Sequence, residues 1–239
     1  MNEQGHQILR CLQAVADERS RRAAEASLAT AVLAVKQFQH LRFHASYADL
    51  LAHPRYARAA RFFLDDLYGP MDFTQRDAQF ARVVPALVRL LPADLVSTVA
   101  ALADLHALSE TLDTAMAGVV GPLPISAAAY ARAWRTVGQA AAREQQIGLM
   151  LRVGTALDHY TRKPLLRHSL RLMRGPAQAA GLGALQTFLE TGFDTFGEMR
   201  GAEFFLATIA TRERALAARL FGGGDVADVT ADAQQTAVR

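Results

Sequence analysis

The stretch ADLVSTVAALADLHALSETLDTAMA, residues 93–117, predicts one long α-helix and decides the fold class. Pro92 stands directly before it, where a proline opens a helix. The apolar stripe of this helix recurs at a period near 3.6 residues and consists of Leu102, Leu105, Leu112 and Met116. We therefore expect the helix to bury one face against other helices.

Helical patterns extend outward from this stretch over most of the chain. Alanine, leucine and arginine dominate the composition and favour helix, and no strand-like alternation of apolar and polar residues appears. The other predicted helices span residues 5–40 (with room for one break), 54–68, 74–90, 126–160, 163–174, 177–198 and 201–221. The polar middle of the first, ADERSRRAAEA, is either solvated or pairs with another chain. The prediction is an all-α, single-domain bundle of eight or nine helices.

The composition is that of one globular domain. The 239 residues are 51 % apolar and 21 % charged, and no shift in composition marks a second domain. We predict one helical domain over residues 1–221, made of the long N-terminal helix 5–40 and a helical core at 54–221. The segment 222–239 is glycine-rich and then polar, and we expect it to be disordered.

The composition also restricts the cellular compartment and the kinds of partner that we expect for this protein. Cys11 is the only cysteine, which excludes an intramolecular disulfide and favours a reducing, cytoplasmic compartment. We expect neither a signal peptide nor a membrane span, because no apolar stretch is long enough. The net charge of +3 is carried almost wholly by arginine without accompanying aromatic residues, so we do not expect a nucleic-acid partner.

Residues 62–70, FFLDDLYGP, resemble the segment that names the FFLEELY motif proteins of proteobacteria, with aspartate at both glutamate positions. The resemblance continues through QFARVVPALVRLLP, LHALSETLD, TRKPLLRHSLRLMRGP and GLGALQTFLETGFDTF, and so covers most of residues 55–213. It implies membership of this bacterial family. It implies no fold, activity or cofactor.

Asp65 and Asp66 of this segment fall in the last turn of the predicted helix 54–68. Negative charge at the C-terminal end of a helix is unfavourable by roughly a few tenths of a kcal/mol or more per charge. A positive partner is therefore expected: an arginine, a metal or a cationic ligand. The arginines of the helix 163–174 are the leading internal candidates.

His106, Glu110 and Asp113 form a polar stripe at positions i, i+4 and i+7 of the helix 93–117. The stripe flanks the apolar one, where polar side chains can be half buried. Histidine and carboxylates at helical spacing hold metals in bundles, although the Glu-x-x-His signature of di-iron sites is missing. The alternative is a hydrogen-bonded structural stripe.

Glu144 interrupts a small and apolar seam of the predicted helix 126–160. A buried glutamate is costly unless it is paired or protonated, so Glu144 is the best single candidate for a functional carboxylate. The alternative is a core ion pair with Arg143 or with an arginine from another helix. If the protein binds a metal, the predicted ligands are His106, Glu110 and Glu144.

Arg167, Arg171 and Arg174 share one face of the helix 163–174. Such a face can bind phosphate or carboxylate groups of an anionic ligand. The alternatives are intramolecular ion pairs with one of two acidic pairs, Asp65 and Asp66 or Glu190 and Asp194.

Two classes of function remain open, because no catalytic or nucleotide-binding motif occurs and no cofactor can be named. The leading hypothesis is a non-catalytic scaffold or regulatory protein that acts through protein contacts and can form a homodimer through its N-terminal helix. The alternative is a helical enzyme or ligand-binding protein. Its polar site would draw on Asp65, Asp66, His106, Glu110, Asp113 and Glu144.

Overall fold

A computed structural model describes residues 2–67, 69–121 and 123–224, and their regular secondary structure is entirely helical, which confirms the all-α class. In chain order the helices are α1 (Glu3–Ala24), α2 (Ala26–Ser46), α3 (Ala48–Ala52), α4 (Ala57–Phe62), α5 (Thr74–Leu90), α6 (Ala93–Ala117), α7 (Ala127–Val137), α8 (Ala140–Thr161), α9 (Pro164–Leu172), α10 (Arg174–Ala179), α11 (Gly183–Met199) and α12 (Glu203–Phe221). A π-helical turn, Phe63–Leu67, continues α4. None of these helices has the length and apolarity needed to cross a membrane. The predicted disorder of the tail concerns residues that, from 225 onward, lie outside the described ranges.

The described helices outnumber the predicted eight or nine partly because two long predicted helices are interrupted. The predicted helix 5–40 divides at Glu25, whose extended backbone (φ −134°, ψ 99°) separates α1 from α2. The predicted helix 126–160 divides at Gly138, whose φ of 67° ends α7 in the left-handed conformation that glycine adopts readily. After each break the next helix starts with a new orientation, so its residues face directions other than those predicted for one continuous helix.

Helix α6 lies at the centre of the fold and has the bounds predicted for it. It packs against α1, α2, α5, α7 and α8. Three apolar clusters surround it. Phe196 belongs to the first cluster, around α8, α11 and α12, and Tyr130 to the second, around α2, α7 and α12. Val84 belongs to the third, between α1, α5 and α6.

The N-terminal helix α1 packs within its own chain. Its apolar residues Ile8, Leu12 and Val15 are buried, and the helix contacts α5 and α6. Arg22, in the polar stretch of this helix, is also buried and forms an ion pair with Glu110 of α6. Most of that stretch is exposed, as the solvated alternative predicts, and Arg22 and Arg19 are the members that contact other helices.

Phe62 and Phe63 of FFLDDLYGP anchor this segment in the core. Phe62 stacks on Phe188 of α11 with ring centroids 5.5 Å apart. Phe63 packs against Phe196 at a centroid distance of 5.9 Å. The segment therefore fixes the π-helical turn against α11.

Gly69 is required by the close passage of the chain at the π-helical turn. A Cβ atom built on Gly69 would lie 2.3 Å from the backbone oxygen of Asp65, which is closer than any real contact. Glycine has no Cβ and permits this approach. The turn leaves Asp65 exposed and buries the neighbouring Leu64.

Candidate functional site

A cavity of about 100 Å³ lies between α2, the π-helical turn, α6, α7, α8 and α12. This volume accommodates several water molecules or a small organic molecule. The π-helical turn contributes an apolar wall that includes Phe63, Leu64 and Leu67. Helices α2 and α6 contribute mainly polar side chains, so the interior is amphipathic.

Glu110 lies on the α6 wall as a buried anion held by two cations. Its Oε1 atom is 2.6 Å from Lys36 Nζ, and its Oε2 atom pairs with Arg22. Burial raises the pKa of Glu110, but the charges and hydrogen bonds of Lys36 and Arg22 outweigh burial and lower the pKa to about 2. This carboxylate is thus already fully engaged.

Asp113, one turn further along α6, is a buried carboxyl group that forms no ion pair with any described residue. Gln39 Nε2 donates a hydrogen bond to its Oδ1 atom at 3.1 Å. Burial raises the pKa of Asp113, with Lys36 opposing and Glu110 adding to the rise. Asp113 therefore accepts a proton more readily than an ordinary aspartate.

His106, the third residue of the predicted stripe, lines the cavity but is engaged with α5. Its Nε2 atom lies 2.8 Å from Asp77 Oδ2, and Arg19 contacts the same oxygen at 2.7 Å. Burial raises the pKa of Asp77, but the hydrogen bond and charge of His106 outweigh it and, with Arg76, bring the pKa to about 2. His106 thus ties α6 to α5.

A second buried ion pair joins α2 to α12 at the cavity. Both Nη atoms of Arg42 contact Glu213, with Nη2 at 3.0 Å from Oε2. The Tyr47 hydroxyl donates to Glu213 Oε1 at 2.6 Å. Burial and the negative charge of Glu213 hold the pKa of Tyr47 well above its usual value.

Arg143 of α8 differs from the other buried cations, because it forms no ion pair within the described part of the chain. Its guanidinium lies over the Trp134 ring, with Cζ 4.3 Å from the centroid. Nη1 donates to Gln146 Oε1 at 3.1 Å, whereas Nη2 has no hydrogen-bond partner. Burial lowers the pKa of Arg143, and Tyr130 and Asp113 partly oppose this.

The cavity has a surplus of hydrogen-bond donors. Among the described residues, three buried N–H groups of lining side chains lack acceptors: Arg42 Nε, Trp134 Nε1 and Arg143 Nη2. Buried polar atoms of proteins nearly always have partners. Leaving one unsatisfied costs about 1–3 kcal/mol, so these groups favour a ligand that supplies acceptors.

Glu144 is exposed, and the expectation that it interrupts a buried seam is wrong. Its carboxylate pairs with Arg214 of α12 at 2.6 Å, so an arginine from another helix neutralises it, but the pair lies on the surface and is not the expected core ion pair. The break at Gly138 shifts the phase of α8, so Arg143 shares the buried face with Ile147.

The arginine face of α9 and α10 is neutralised by α11. Arg167 and Arg171 contact Asp194 at 2.7 and 3.5 Å, and Arg174 pairs with Glu190. The three arginines are exposed and their carboxylate partners are partly buried, and the pairs occupy the guanidinium groups proposed for an anionic ligand.

The aspartates of FFLDDLYGP have other partners than the expected arginine helix. Asp65 Oδ1 lies 3.1 Å from His40 Nε2. The backbone oxygen of Asp66 accepts a hydrogen bond from Arg76 Nη1 at 2.7 Å. Burial and the charge of Asp65 raise the pKa of the Asp66 carboxyl, while Arg76 opposes the rise.

The structure brings only part of the predicted site together. His106, Glu110 and Asp113 line one cavity, whereas Glu144, Asp65 and Asp66 do not line it. The residues that the sequence analysis missed are Arg22, Lys36, Arg42, Tyr47, Trp134, Arg143 and Glu213. Lys36 could have been found, because it lies four residues after Val32 in the apolar stripe of α2.

Comparison with known proteins places the chain within one family. The model of a family described as "Domain of unknown function (DUF8198)" matches residues 18–226. No curated protein and no solved structure matches the chain.

Proposed function

Since the chain belongs to this family of unknown function, we propose a function from its cavity: the protein binds a small organic acid. The acidic group lies at Arg143, and the apolar part of the ligand lies against the π-helical turn. The unpartnered Nη2 atom of the buried Arg143 carries this proposal.

The polar residues of the cavity lining favour an anion. Glu110 and Glu213 are paired with their own cations and leave Arg143 without an ion pair. Asp113 is the third carboxyl group on the lining, and its charge partly offsets that of Arg143, but among the described contacts it neither pairs nor hydrogen-bonds with the guanidinium. A guanidinium binds carboxylate and phosphate groups through two parallel hydrogen bonds. Trp134 Nε1 adds a further donor from a lining residue. A bound carboxylate would supply acceptors that the described side chains do not.

The cavity also fits a hydrocarbon or aromatic group. Phe63, Leu64, Leu67 and Phe205 line it together with Ile209. Burying apolar area against such a wall contributes about 25 cal/mol per Å². An inorganic anion would leave this wall uncovered, so an organic acid fits better.

Thermal unfolding of the full chain with matched ligand pairs tests the proposal. Organic carboxylates of increasing apolar size are compared with their neutral amides and with inorganic phosphate. We expect a carboxylate to raise the Tm with concentration, because it both accepts hydrogen bonds from Arg143 and neutralises its charge. Its amide should have little effect, because it is uncharged. Equal Tm shifts for a carboxylate and its amide, or no Tm shift with any carboxylate, would refute the proposed organic-acid site.

A second candidate function, a scaffold acting through protein contacts, is favoured by helix α9. None of its residues is buried, and Leu165 and Leu172 are exposed at 79 % and 65 %. A homodimer through the N-terminal helix would have to use the outer face of α1, because its apolar face packs within the chain. Sedimentation equilibrium of wild type and Leu165→Glu tests for self-association: a dimer that this change dissociates supports the α9 contact.

We also propose, from the sequence, a more specific family membership and a cellular location. Membership of the FFLEELY motif proteins, and with it a bacterial origin, is supported by FFLDDLYGP at residues 62–70. A cytoplasmic location is supported by the single cysteine, Cys11.

A further inference from the structure

Two histidines of α2 lie side by side on the surface next to the π-helical turn. His40 and His44 are four residues apart and therefore share a helix face. Their ring centroids are 4.6 Å apart. His44 is exposed and His40 is partly exposed, so both rings can rotate toward a common ligand.

Asp65 brings a carboxylate to the same place from a different part of the chain. Its Oδ1 atom is 3.1 Å from His40 Nε2, and one ligand atom from each of the three residues lies within 4.8 Å of the other two. Zn²⁺ binds imidazole nitrogen and carboxylate oxygen at about 2.0–2.2 Å, so ligand atoms around one ion lie roughly 3–4 Å apart. Small side-chain rotations would bring the three ligand atoms from their present separations to those expected around one ion.

The surroundings of this cluster favour a cation. Asp65 forms no ion pair with a described arginine or lysine. Arg58 of α4, seven residues earlier, is engaged by Glu198. The adjacent Asp66 places a second, partly buried carboxyl group directly next to Asp65. A metal ion would relieve the repulsion between these two carboxyl groups.

The π-helical turn gives Asp65 its position. A π-helix inserts an extra residue per hydrogen-bonded turn, and such turns occur often at functional sites. Here Phe63 and Leu64 remain in the core while Asp65 reaches α2. Gly69 permits the close backbone approach on which this turn depends.

We propose that His40, His44 and Asp65 form a binding site for a first-row divalent metal ion of the Zn²⁺ type. Two imidazoles and one carboxylate match the ligand preference of these ions and leave coordination positions open to water or another ligand. None of the three side chains lines the cavity, so this site is independent of the proposed organic-acid site. Its neighbours Gln39 and Leu64 do line the cavity, so the two sites share a wall.

Calorimetric titration of the chelator-treated full chain with ZnCl₂ tests the site. We expect saturable binding of one equivalent. Asp65→Asn and the double change His40→Ala/His44→Ala each remove one or more ligands, so each should weaken binding at least about tenfold. Co²⁺ provides a second readout, because its visible absorption bands report nitrogen and oxygen ligation and should change in Asp65→Asn.

His168→Ala is the matched control, because His168 is an exposed histidine of α9 outside this cluster. It should leave binding unchanged. If the double variant does not fold, as judged by circular dichroism, His44→Ala alone retains the test since His44 is exposed. The absence of one-equivalent binding, or binding that survives either Asp65→Asn or loss of the histidines, would overturn the site.

Discussion

The guanidinium of Arg143 lies 4.3 Å from the ring centroid of Trp134, and its Nη2 atom has no hydrogen-bond partner. A cation over an aromatic face gains about 2 kcal/mol when desolvated, but the ring provides no acceptor in the guanidinium plane. Arg42 is also buried, yet it faces the carboxylate of Glu213. The contrast between the two arginines points to Arg143 as the ligand-binding cation.

Replacing Arg22 by methionine should destabilise the protein strongly. Arg22 contacts the Glu110 carboxylate, the Glu110 backbone oxygen and Thr114 Oγ1, all of them buried. Removing one partner of a buried ion pair costs about 3–5 kcal/mol in the free energy of unfolding. We expect a loss near the lower end of this range, because Lys36 still pairs with Glu110 in the variant. Urea unfolding measures this change in the free energy of unfolding.

Arg21→Met is the matched control for this experiment. Arg21 is the preceding residue and pairs with Glu18 on the surface. Its loss should change the free energy of unfolding by less than about 0.5 kcal/mol. Similar effects of the two substitutions would contradict the assigned role of Arg22.

The two buried carboxyl groups of α6 should have opposite effects on stability as pH changes. Glu110 has its pKa lowered from 4.5 to about 2, so its charge stabilises the fold above about pH 4.5 and this contribution is lost as pH falls toward 2. Glu110→Gln should therefore lower the free energy of unfolding at pH 7 by roughly 3 kcal/mol. The difference from wild type should vanish near pH 2.

Asp113→Asn should show the reverse. The raised pKa of Asp113 means that its ionised form is disfavoured in the folded protein, first of all by burial. Asparagine resembles the protonated form, so the variant should be more stable than wild type at pH 7. The gain should disappear below about pH 4, where aspartate is protonated in both states. A loss of stability at pH 7 would indicate an ion pair that the structure does not contain.

The sequence predicted the helices better than it predicted which side chains they bury. The bounds of α5 and α6 agree with prediction because proline, glycine and apolar periodicity mark them. The sequence does not identify Arg143 as a site residue, because it predicts one continuous helix across Gly138. In such a helix the apolar face would contain Glu144 and not Arg143. The partner of Asp65 was missed because His40 lies on a distant segment and the π-helical turn has no sequence period of its own.

Gly69→Ala should disrupt the π-helical turn. The new methyl group would meet the Asp65 backbone oxygen at 2.3 Å, and this contact can be relieved only by moving the main chain. Strain of this kind costs about 1–3 kcal/mol.

Gly148→Ala is the control for this experiment. Gly148 lies on the exposed face of α8, and a Cβ atom built on it meets nothing within 4 Å. The substitution should therefore stabilise the protein by about 0.5–1 kcal/mol. Thermal unfolding of both variants checks whether the effects have opposite signs.

The affinity of Arg143→Gln for an organic carboxylate tests the central claim most directly. Calorimetric titration would compare wild type, this variant and Arg152→Gln, an exposed arginine of the same helix. A hydrogen bond to a charged group contributes about 1.5–3 kcal/mol, so the Kd should rise roughly 10-fold to 100-fold in Arg143→Gln and stay unchanged in Arg152→Gln. Equal affinity of wild type and Arg143→Gln, with the fold of both intact by circular dichroism, would contradict the account.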